Sequence, residues 1–305
     1  MKTDYDAVVV GAGPAGVTAA IYIERAEVKC CIIEREMPGG QVNKTSVVEN
    51  YPGFPSISGP ELAEKFMEQL NENKIKQIYS EVQEIENHKG YKTLKLSNGK
   101  EITTKKIILA VGRSAEKFNN KHNDELEGRG ISYCSLCDGH LYKNEDVAIV
   151  GAGNSALEES LYLADICKSV TIISRSDQLK GDKSLRDQVT AKANIKVLTH
   201  SKIKEFAEKD GVLEHLIIES NDKEKTLKVK ACFIFIGYEP ATKFLESLEI
   251  LDEKGYIIVD EKKETRISGI YAAGDVVKKE AFQIVTATGE AALAAVACIK
   301  SLKEV

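Results

Sequence analysis

Residues 131–139 read Ile-Ser-Tyr-Cys-Ser-Leu-Cys-Asp-Gly, and the spacing of Cys134 and Cys137 suits more than one chemistry. Two thiols separated by two residues reach each other across one turn and can cycle between dithiol and disulfide. At a helix N-terminus such a thiol is also easier to ionise. The same spacing supplies half of a zinc site, and two thiols can lie close with no chemistry at all. Zinc would need two more ligands at paired spacing, yet there is no second such pair and His140 is the one histidine nearby. His140 reads as an ordinary surface or packed residue. Asp138 is either a proton carrier for thiol chemistry or a carboxylate favoured by the start of a helix. These residues alone leave the choice open.

A second set of chemistry-bearing residues is glycine-rich. Tyr5–Val10 is a short β-branched run, followed at once by Gly11-Ala12-Gly13-Pro14-Ala15-Gly16, a helix-period stretch to about Ala26, and a strand over Val28–Ile33 that ends at Glu34. In a strand–loop–helix unit of this kind Gly11 makes the tight turn, Gly13 lets a pyrophosphate approach the backbone, and Gly16 lets helix and strand pack closely. The helix N-terminus then faces the phosphates, and Glu34 stands where a carboxylate accepts ribose hydroxyls. The pattern recurs: Asp146–Val150, then Gly151-Ala152-Gly153-Asn154-Ser155-Ala156, a helix to about Ile166 and a strand over Ser169–Ile173. Its third glycine is Ala156, which the fingerprint permits. Where the first copy ends in an acid, this one ends in Ser174-Arg175-Ser176, with Lys180 beyond. Two dinucleotide sites in one chain imply one cofactor passing electrons to another. A third signal, Gly269–Val276, closes on Gly274-Asp275 before an alanine-rich helix over about Val285–Ser301. That aspartate either holds a hydroxyl chain or caps the helix.

The elements that must position these residues fit 305 residues and two domains. Residues 51–60 hold three of the six prolines and read as a loop, residues 61–73 as an amphipathic helix, and 77–108 as strands broken at Asn98-Gly99. Short strands recur over 202–236, broken near Lys209–Gly211 and Asn221–Lys225; Gly112–Gly130 and Gly237–Ala241 are linker candidates. A net charge of −5, with lysines scattered singly, argues against nucleic acid. No apolar run approaches a membrane span, and the acidic start MKTDYD is no signal peptide, so the expectation is a cytoplasmic protein without a membrane. Seven cysteines is an odd number for a disulfide framework, and Cys30, Cys31, Cys167, Cys232 and Cys298 read as core packing.

In this order the motifs resemble the low-molecular-weight thioredoxin reductases over essentially the whole chain. The resemblance rests on GAGPAG, Gly39-Gly40-Gln41 followed by VENYPG, AVG at 110–112, GRG leading into CSLCDG, GAGNSA and AAGD. It implies an α/β protein of two Rossmann-like, doubly wound, three-layer domains, the second inserted into the first. Residues 1–113 and 242–305 would form an FAD domain, and 114–241 an NAD(P)H domain carrying the redox disulfide. The resemblance implies flavin contacts from Pro14, Ala15, Gly39, Gly40, Gln41, Asn50, Val82, Ala110 and Gly112. It further implies that Gly274 and Asp275 hold the ribityl chain and that Gln283, with Ile284, approaches the flavin ring. The second fingerprint (Gly151, Gly153, Asn154, Ser155, Ala156) would take the pyridine nucleotide, with Ser174, Arg175, Ser176 and Lys180 around a 2′-phosphate.

With two dinucleotide folds in hand, Cys134–Cys137 reads as a redox disulfide. By resemblance Cys137 is the flavin-proximal sulfur, Cys134 the thiolate that attacks a partner's disulfide, and Asp138 the proton carrier. The expected partner is thioredoxin or a thioredoxin-like protein, the expected assembly a homodimer, and the expected cofactors FAD and NADPH, with some use of NADH. Alternatives are a disulfide reductase serving a glutaredoxin-like or peroxiredoxin partner, and a flavoprotein fed by ferredoxin. Starting at the first strand, the chain is expected to lack the thioredoxin-like extension of alkyl hydroperoxide reductase flavoproteins. Rotation of the inserted domain about Gly112–Arg113 and Gly237–Pro240 would let one flavin serve both nicotinamide and disulfide. Four departures stand out: Ser135 and Leu136 between the cysteines, Phe282 where a basic residue is usual, and a thinned basic cluster after the second fingerprint.

Overall fold

A computed structural model describes residues 2–45, 47–119, 123–221 and 223–304. It divides into two units, Met1–Ser114 with Glu239–Val305, and Ala115–Tyr238. Elements are numbered along the chain.

The first unit is built on β1 (Tyr5–Val10), β2 (Cys30–Glu34), β3 (Lys76–Tyr79) and β6 (Glu101–Leu109), parallel in the order β3-β2-β1-β6. The Val8–Val10 run is buried on both faces, as a central parallel strand must be. The end of β6 pairs with β17 (Ile270–Ala272), and its start pairs with an antiparallel hairpin, β4 (Val82–His88) and β5 (Tyr91–Leu96). The strands break at Asn98–Gly99, between β5 and β6, as expected, and also at Lys89–Gly90, the turn of the β4–β5 hairpin, where Gly90 has φ +91. One face of the sheet carries α1 (Pro14–Arg25), α2 (Gly59–Glu72) and α7 (Ile284–Lys303). Ser58 and Glu61 cap α2 reciprocally. Small residues on α1 (Ala19, Ala20) and α7 (Ala291, Ala294, Ala295) let these helices pack closely. Val82, Ile85 and Leu94 of the hairpin join Val8, Val10 and Ile33 on the other face.

By length and composition α7 could cross a membrane, with a mean hydropathy of 1.4 over its window. The expectation that no run approaches this length is thus corrected. The alanine face of α7 lies in the core, whereas Val285, Leu293 and Val296 stay exposed.

The second unit holds a five-stranded parallel sheet: β8 (Ile131–Ser132), β9 (Asp146–Val150), β10 (Ser169–Ile173), β11 (Ile195–Leu198) and β15 (Ala231–Ile234), in the order β11-β10-β9-β15-β8. One face packs on α5 (Asn154–Ile166). The other is covered by the antiparallel strands β12 (Ser201–Lys209), β13 (Val212–Ser220) and β14 (Lys223–Leu227), whose Phe206 and Leu216 join Val150 and Ile234 in one core. Short α3 (Asn123–Leu126), α4 (Ser135–Asp138) and α6 (Lys183–Ala191) complete the unit. The chain segments joining the units pair as a two-stranded ribbon, β7 (Arg113–Ala115) with β16 (Tyr238–Pro240). Residues 120–122 of the first linker candidate, and Asp222 in the expected break over Asn221–Lys225, lie outside the described residues.

Candidate functional site

Each glycine fingerprint separates into positions the protein itself demands and one it does not. A Cβ on Gly16 would lie 1.7 Å from the Gly11 carbonyl oxygen, and Gly11, at φ +100, abuts the Ala110 carbonyl at 2.4 Å. Gly151, at φ +146, likewise abuts the Phe235 carbonyl at 2.3 Å. The middle glycines differ. A Cβ on Gly153 meets nothing within 4 Å, and one on Gly13 meets only the Gly40 Cα at 4.0 Å. Nothing in the fold forbids a side chain at these two positions, so the space they leave fits a phosphate-bearing ligand at the start of α1 and of α5.

Around the first loop the expected residues converge. The Glu34 carboxylate accepts the Ala12 N–H at 2.6 Å and the Glu36 N–H at 2.9 Å, and its remaining lone pairs stay available to hydroxyls. A cleft beside it is lined by Gly11, Glu34, Arg35, Val82, Val111 and Phe244. The Gly39 N–H donates to the Ala12 carbonyl, and a Cβ on Gly40 would fall 3.3 Å from the Gly13 Cα, so the Gly39–Gly40 turn seats directly on the fingerprint. Gln41 donates to the Arg113 carbonyl at 2.9 Å, and Asn50 to the Gln283 side chain at 3.0 Å. Gln283 caps α7, whose first residue is Ile284. Gly274, at φ +80, packs so tightly on Ala15, behind Pro14, that a Cβ would lie 2.8 Å from that methyl. Ala110, buried at the end of β6, and Gly112, at φ +65, complete this edge.

Two features here escaped the sequence reading. The Gly274 N–H donates to Glu290, which is held by Lys263 at 3.3 Å and also by Lys279, a half-buried charge cluster behind the turn. The second is Arg113. Its guanidinium lies 3.7 Å from the centre of the Phe282 ring and pairs with Asp275 at 3.2 Å. A cation therefore reaches position 282 from the start of β7.

In the second unit Asn154 donates to the Asp182 side chain and accepts the Asp182 N–H, pinning the loop beyond β10 to the start of α5. Ala156 is buried beneath this loop, with Ser155 half-buried beside it. Ser174 corrects an expectation. It is 2% exposed and its hydroxyl accepts the Ser176 N–H, so it shapes the turn instead of facing a phosphate. Arg175 and Lys180 are exposed, with no ion-pair partner among the described residues, and Ser176 is half-buried.

Cys134 and Cys137 form a disulfide with Cα atoms 5.3 Å apart. The Cys137 N–H donates to the Cys134 sulfur at 3.1 Å, an interaction that favours a thiolate on Cys134 once the bond opens. Cys134 is 8% exposed whereas Cys137 is exposed. The Ser132 hydroxyl donates to Asp138 at 2.6 Å and fixes that carboxylate beside the pair, while His140 is exposed. On the opposite side, α5 presents Glu159 to Ser135, both buried. The five other cysteines are free and buried, and burial pushes Cys167 up to about 11 and Cys31 and Cys298 to about 12. They are inert packing, as expected. Among the described residues no cluster could hold a metal.

Two sheets with matched phosphate loops, and a disulfide carried by the second unit, define a class. The family model for pyridine nucleotide-disulphide oxidoreductases matches residues 5–291, and the chain belongs to that family. It is a flavoprotein oxidoreductase using a pyridine nucleotide. Among its relatives, thioredoxin reductase of Bacillus subtilis (strain 168) is 40% identical over 293 residues, 95% of this chain and 92% of that protein. The crystal structure of Lactococcus lactis thioredoxin reductase matches with a TM-score of 0.95 and 37% identity, covering 99% of this chain and 100% of that one. Thioredoxin reductase of T. acidophilum matches with a TM-score of 0.92 and 31% identity over 98% of this chain and 99% of that one.

Proposed function

We propose that this chain is a thioredoxin reductase that carries electrons from NADPH through FAD and the Cys134–Cys137 disulfide to thioredoxin. The observation that carries the reading is the disulfide itself, in the unit that bears one open phosphate loop and in a chain that bears two. The first unit is assigned as the FAD domain. Gly11, Gly13 and Gly16 would admit the pyrophosphate, Glu34 the ribose, Asp275 the ribityl hydroxyls, and the Gly39–Gln41 turn, Asn50 and Gln283 the flavin. The second unit is assigned to NADPH, with Gly151, Gly153 and Asn154 at the pyrophosphate and Arg175, Ser176 and Lys180 at the 2′-phosphate. With only two cations there, discrimination against NADH is expected to be weak. Exposed Tyr22, Val285, Leu293 and Val296 support a homodimer through the first unit, and five free thiols suit the cytoplasm.

Bound FAD supplies the route by which two electrons from the nicotinamide reach the disulfide. The residues of the chain handle the sulfurs and protons. When the disulfide accepts two electrons, the Cys134 sulfur leaves as a thiolate held by the Cys137 N–H. This Cys134 thiolate attacks one sulfur of the thioredoxin disulfide, forming a mixed disulfide and releasing a thiolate that Asp138 is placed to protonate. Cys137 then attacks Cys134, closing the original disulfide and releasing the second thiolate, which takes up the second proton. The test measures NADPH-driven reduction of purified thioredoxin beside flavin reduction in the absence of thioredoxin. Cys134→Ser and Cys137→Ser should each lose the first and keep the second. Thioredoxin reduction surviving in either variant overturns the assignment.

A further inference from the structure

Glu159 is 7% exposed, and its Oε2 completes no hydrogen bond; the same is true of the Oγ of Ser135, which is fully buried. Ser135 lies between the two redox cysteines, at the start of α4, and α4 packs on α5, which bears Glu159. The disulfide turn is thus flanked by two serine–carboxyl pairs of opposite character. Ser132–Asp138 is hydrogen-bonded, with Ser132 buried and Asp138 half-buried. Ser135–Glu159 is sealed and unsatisfied, and nothing in the exchange chemistry above uses it.

Burial pushes the Glu159 carboxyl up to about 7, the Ser135 hydroxyl pulls it partly back, and the charge of Glu158 raises it again. Tyr162, one turn along, is in turn raised first by burial and then by Glu159. Among the described residues, the elements packed on α5 bring no cation that acts on the acid: α4 carries Asp138, the 139–142 turn His140, α6 Lys183 and Arg186, β9 Asp146, and β10 no charge, and the groups that move Glu159 are Ser135 and Glu158. A buried acid with no counter-cation keeps its proton unless ionisation is forced, and a neighbouring anion makes ionisation harder.

We propose that Glu159 is a positioning residue for the redox pair, a sealed acid that acts through Ser135 to couple its own proton to the oxidation state of Cys134–Cys137. The inference rests on the redox reading of that disulfide. Reduction of the bond takes two electrons from the reduced flavin and yields a thiol and a thiolate with one proton, or two thiols with two. The disulfide carries no charge, whereas the thiolate is a new anion beside Ser135. With Glu159 neutral the thiolate forms against no opposing charge. With Glu159 ionised the two anions repel, so reduction either draws a proton onto Glu159 or is disfavoured. Proton uptake and electron uptake are thereby linked at a group that never touches the sulfurs.

The flavin-loaded enzyme is equilibrated with mixtures of reduced and oxidised glutathione from pH 5.5 to 8.5, and the dithiol fraction of Cys134–Cys137 is read by alkylation and mass spectrometry. Glu159→Gln should match the wild type at the acid end. At the alkaline end it should favour the dithiol roughly tenfold more, about one pK of lost repulsion. Glu159→Asp, which keeps the acid, should restore a pH-dependent difference. A Glu159→Gln to wild-type ratio that is flat with pH, in proteins whose disulfide still exchanges, overturns the inference and spares the redox reading. A disulfide that exchanges in neither protein overturns both. A second readout needs no substitution at 159: infrared difference spectra between disulfide and dithiol states of Asp138→Asn protein at pH 7. A carboxyl band reporting protonation on reduction is expected, and no carboxyl change at all overturns the proposal.

Discussion

Glu159→Gln should change the pH dependence of stability in a direction opposite to that of most carboxylates. The folded protein holds this proton up to about 7 against an ordinary value of 4.5. Below pH 4.5 the folded and unfolded chains are both protonated, and the group makes no difference. Between 4.5 and 7 the unfolded chain has lost a proton that the folded one retains, so stability falls as pH rises. Above 7 both are ionised and the full cost is present. At about 1.36 kcal/mol per pH unit the window comes to about 3 kcal/mol, a ceiling because relaxation around a buried charge lowers its cost. Glutamine keeps the shape without the ionisation. The variant should therefore match the wild type near pH 4.5 and exceed it by up to about 3 kcal/mol at pH 8. Hydrogen exchange of the α5 and β9 amides, at several pH values with the disulfide intact, reads the opening free energy of this unit directly. A stability difference that stays constant from pH 5 to 8 would refute the reasoning, because a packing effect of the amide carries no pH dependence.

Gly16→Ala should destabilise the first unit by about 1–3 kcal/mol or more and yield protein low in flavin, since its Cβ would sit 1.7 Å from a backbone oxygen; thermal unfolding and flavin absorbance check this. Gly153→Ala should fold normally, because its Cβ meets nothing within 4 Å, but should weaken pyridine nucleotide binding at least tenfold by calorimetry. Arg175→Ala should raise the KM for NADPH about tenfold and leave that for NADH within about twofold, and equal effects on both would remove the 2′-phosphate contact. Arg113→Ala, which strips the cation from Phe282 and Asp275, should keep the fold and speed flavin release, measured by dialysis against a fluorescence readout.

The glycine loops and their strands were legible because each signal is local: β-branched runs flank turns where Gly11 and Gly151 are held at positive φ against carbonyls. The Lys89–Gly90 turn carried such a signal too, a glycine in a strand pattern, and went unread. Glu159 was hidden for a different reason. In Leu-Glu-Glu-Ser two adjacent acids read as a solvated helix face, yet Glu159 lies three residues after Ala156 and four before Leu163, both in the core. The helical period marks it as inward-facing, and only its charge argued otherwise. Ser174 was misread because a polar residue at a loop mouth suggests a ligand, whereas here the hydroxyl closes its own turn. The burial order of Cys134 and Cys137 had no local signal at all, because it depends on what surrounds a turn whose two ends look alike in sequence.

The Arg113–Phe282 pair shows why a substitution read position by position can mislead. An aromatic ring at 282 in place of a cation suggests a lost charge, and 169 residues of sequence separate it from the arginine that supplies one. The parallel pairing of β6 with β17 brings the segments that follow them side by side, Arg113 on one and Asp275 on the other, and Gln283 follows Phe282 at the cap of α7. A guanidinium stacked on a ring retains its charge while losing freedom to move, and its ion pair to Asp275 fixes it further. The cation is therefore held by the ring that appeared to replace it. A charge at a given place can thus be supplied by the fold from any chain segment that reaches it.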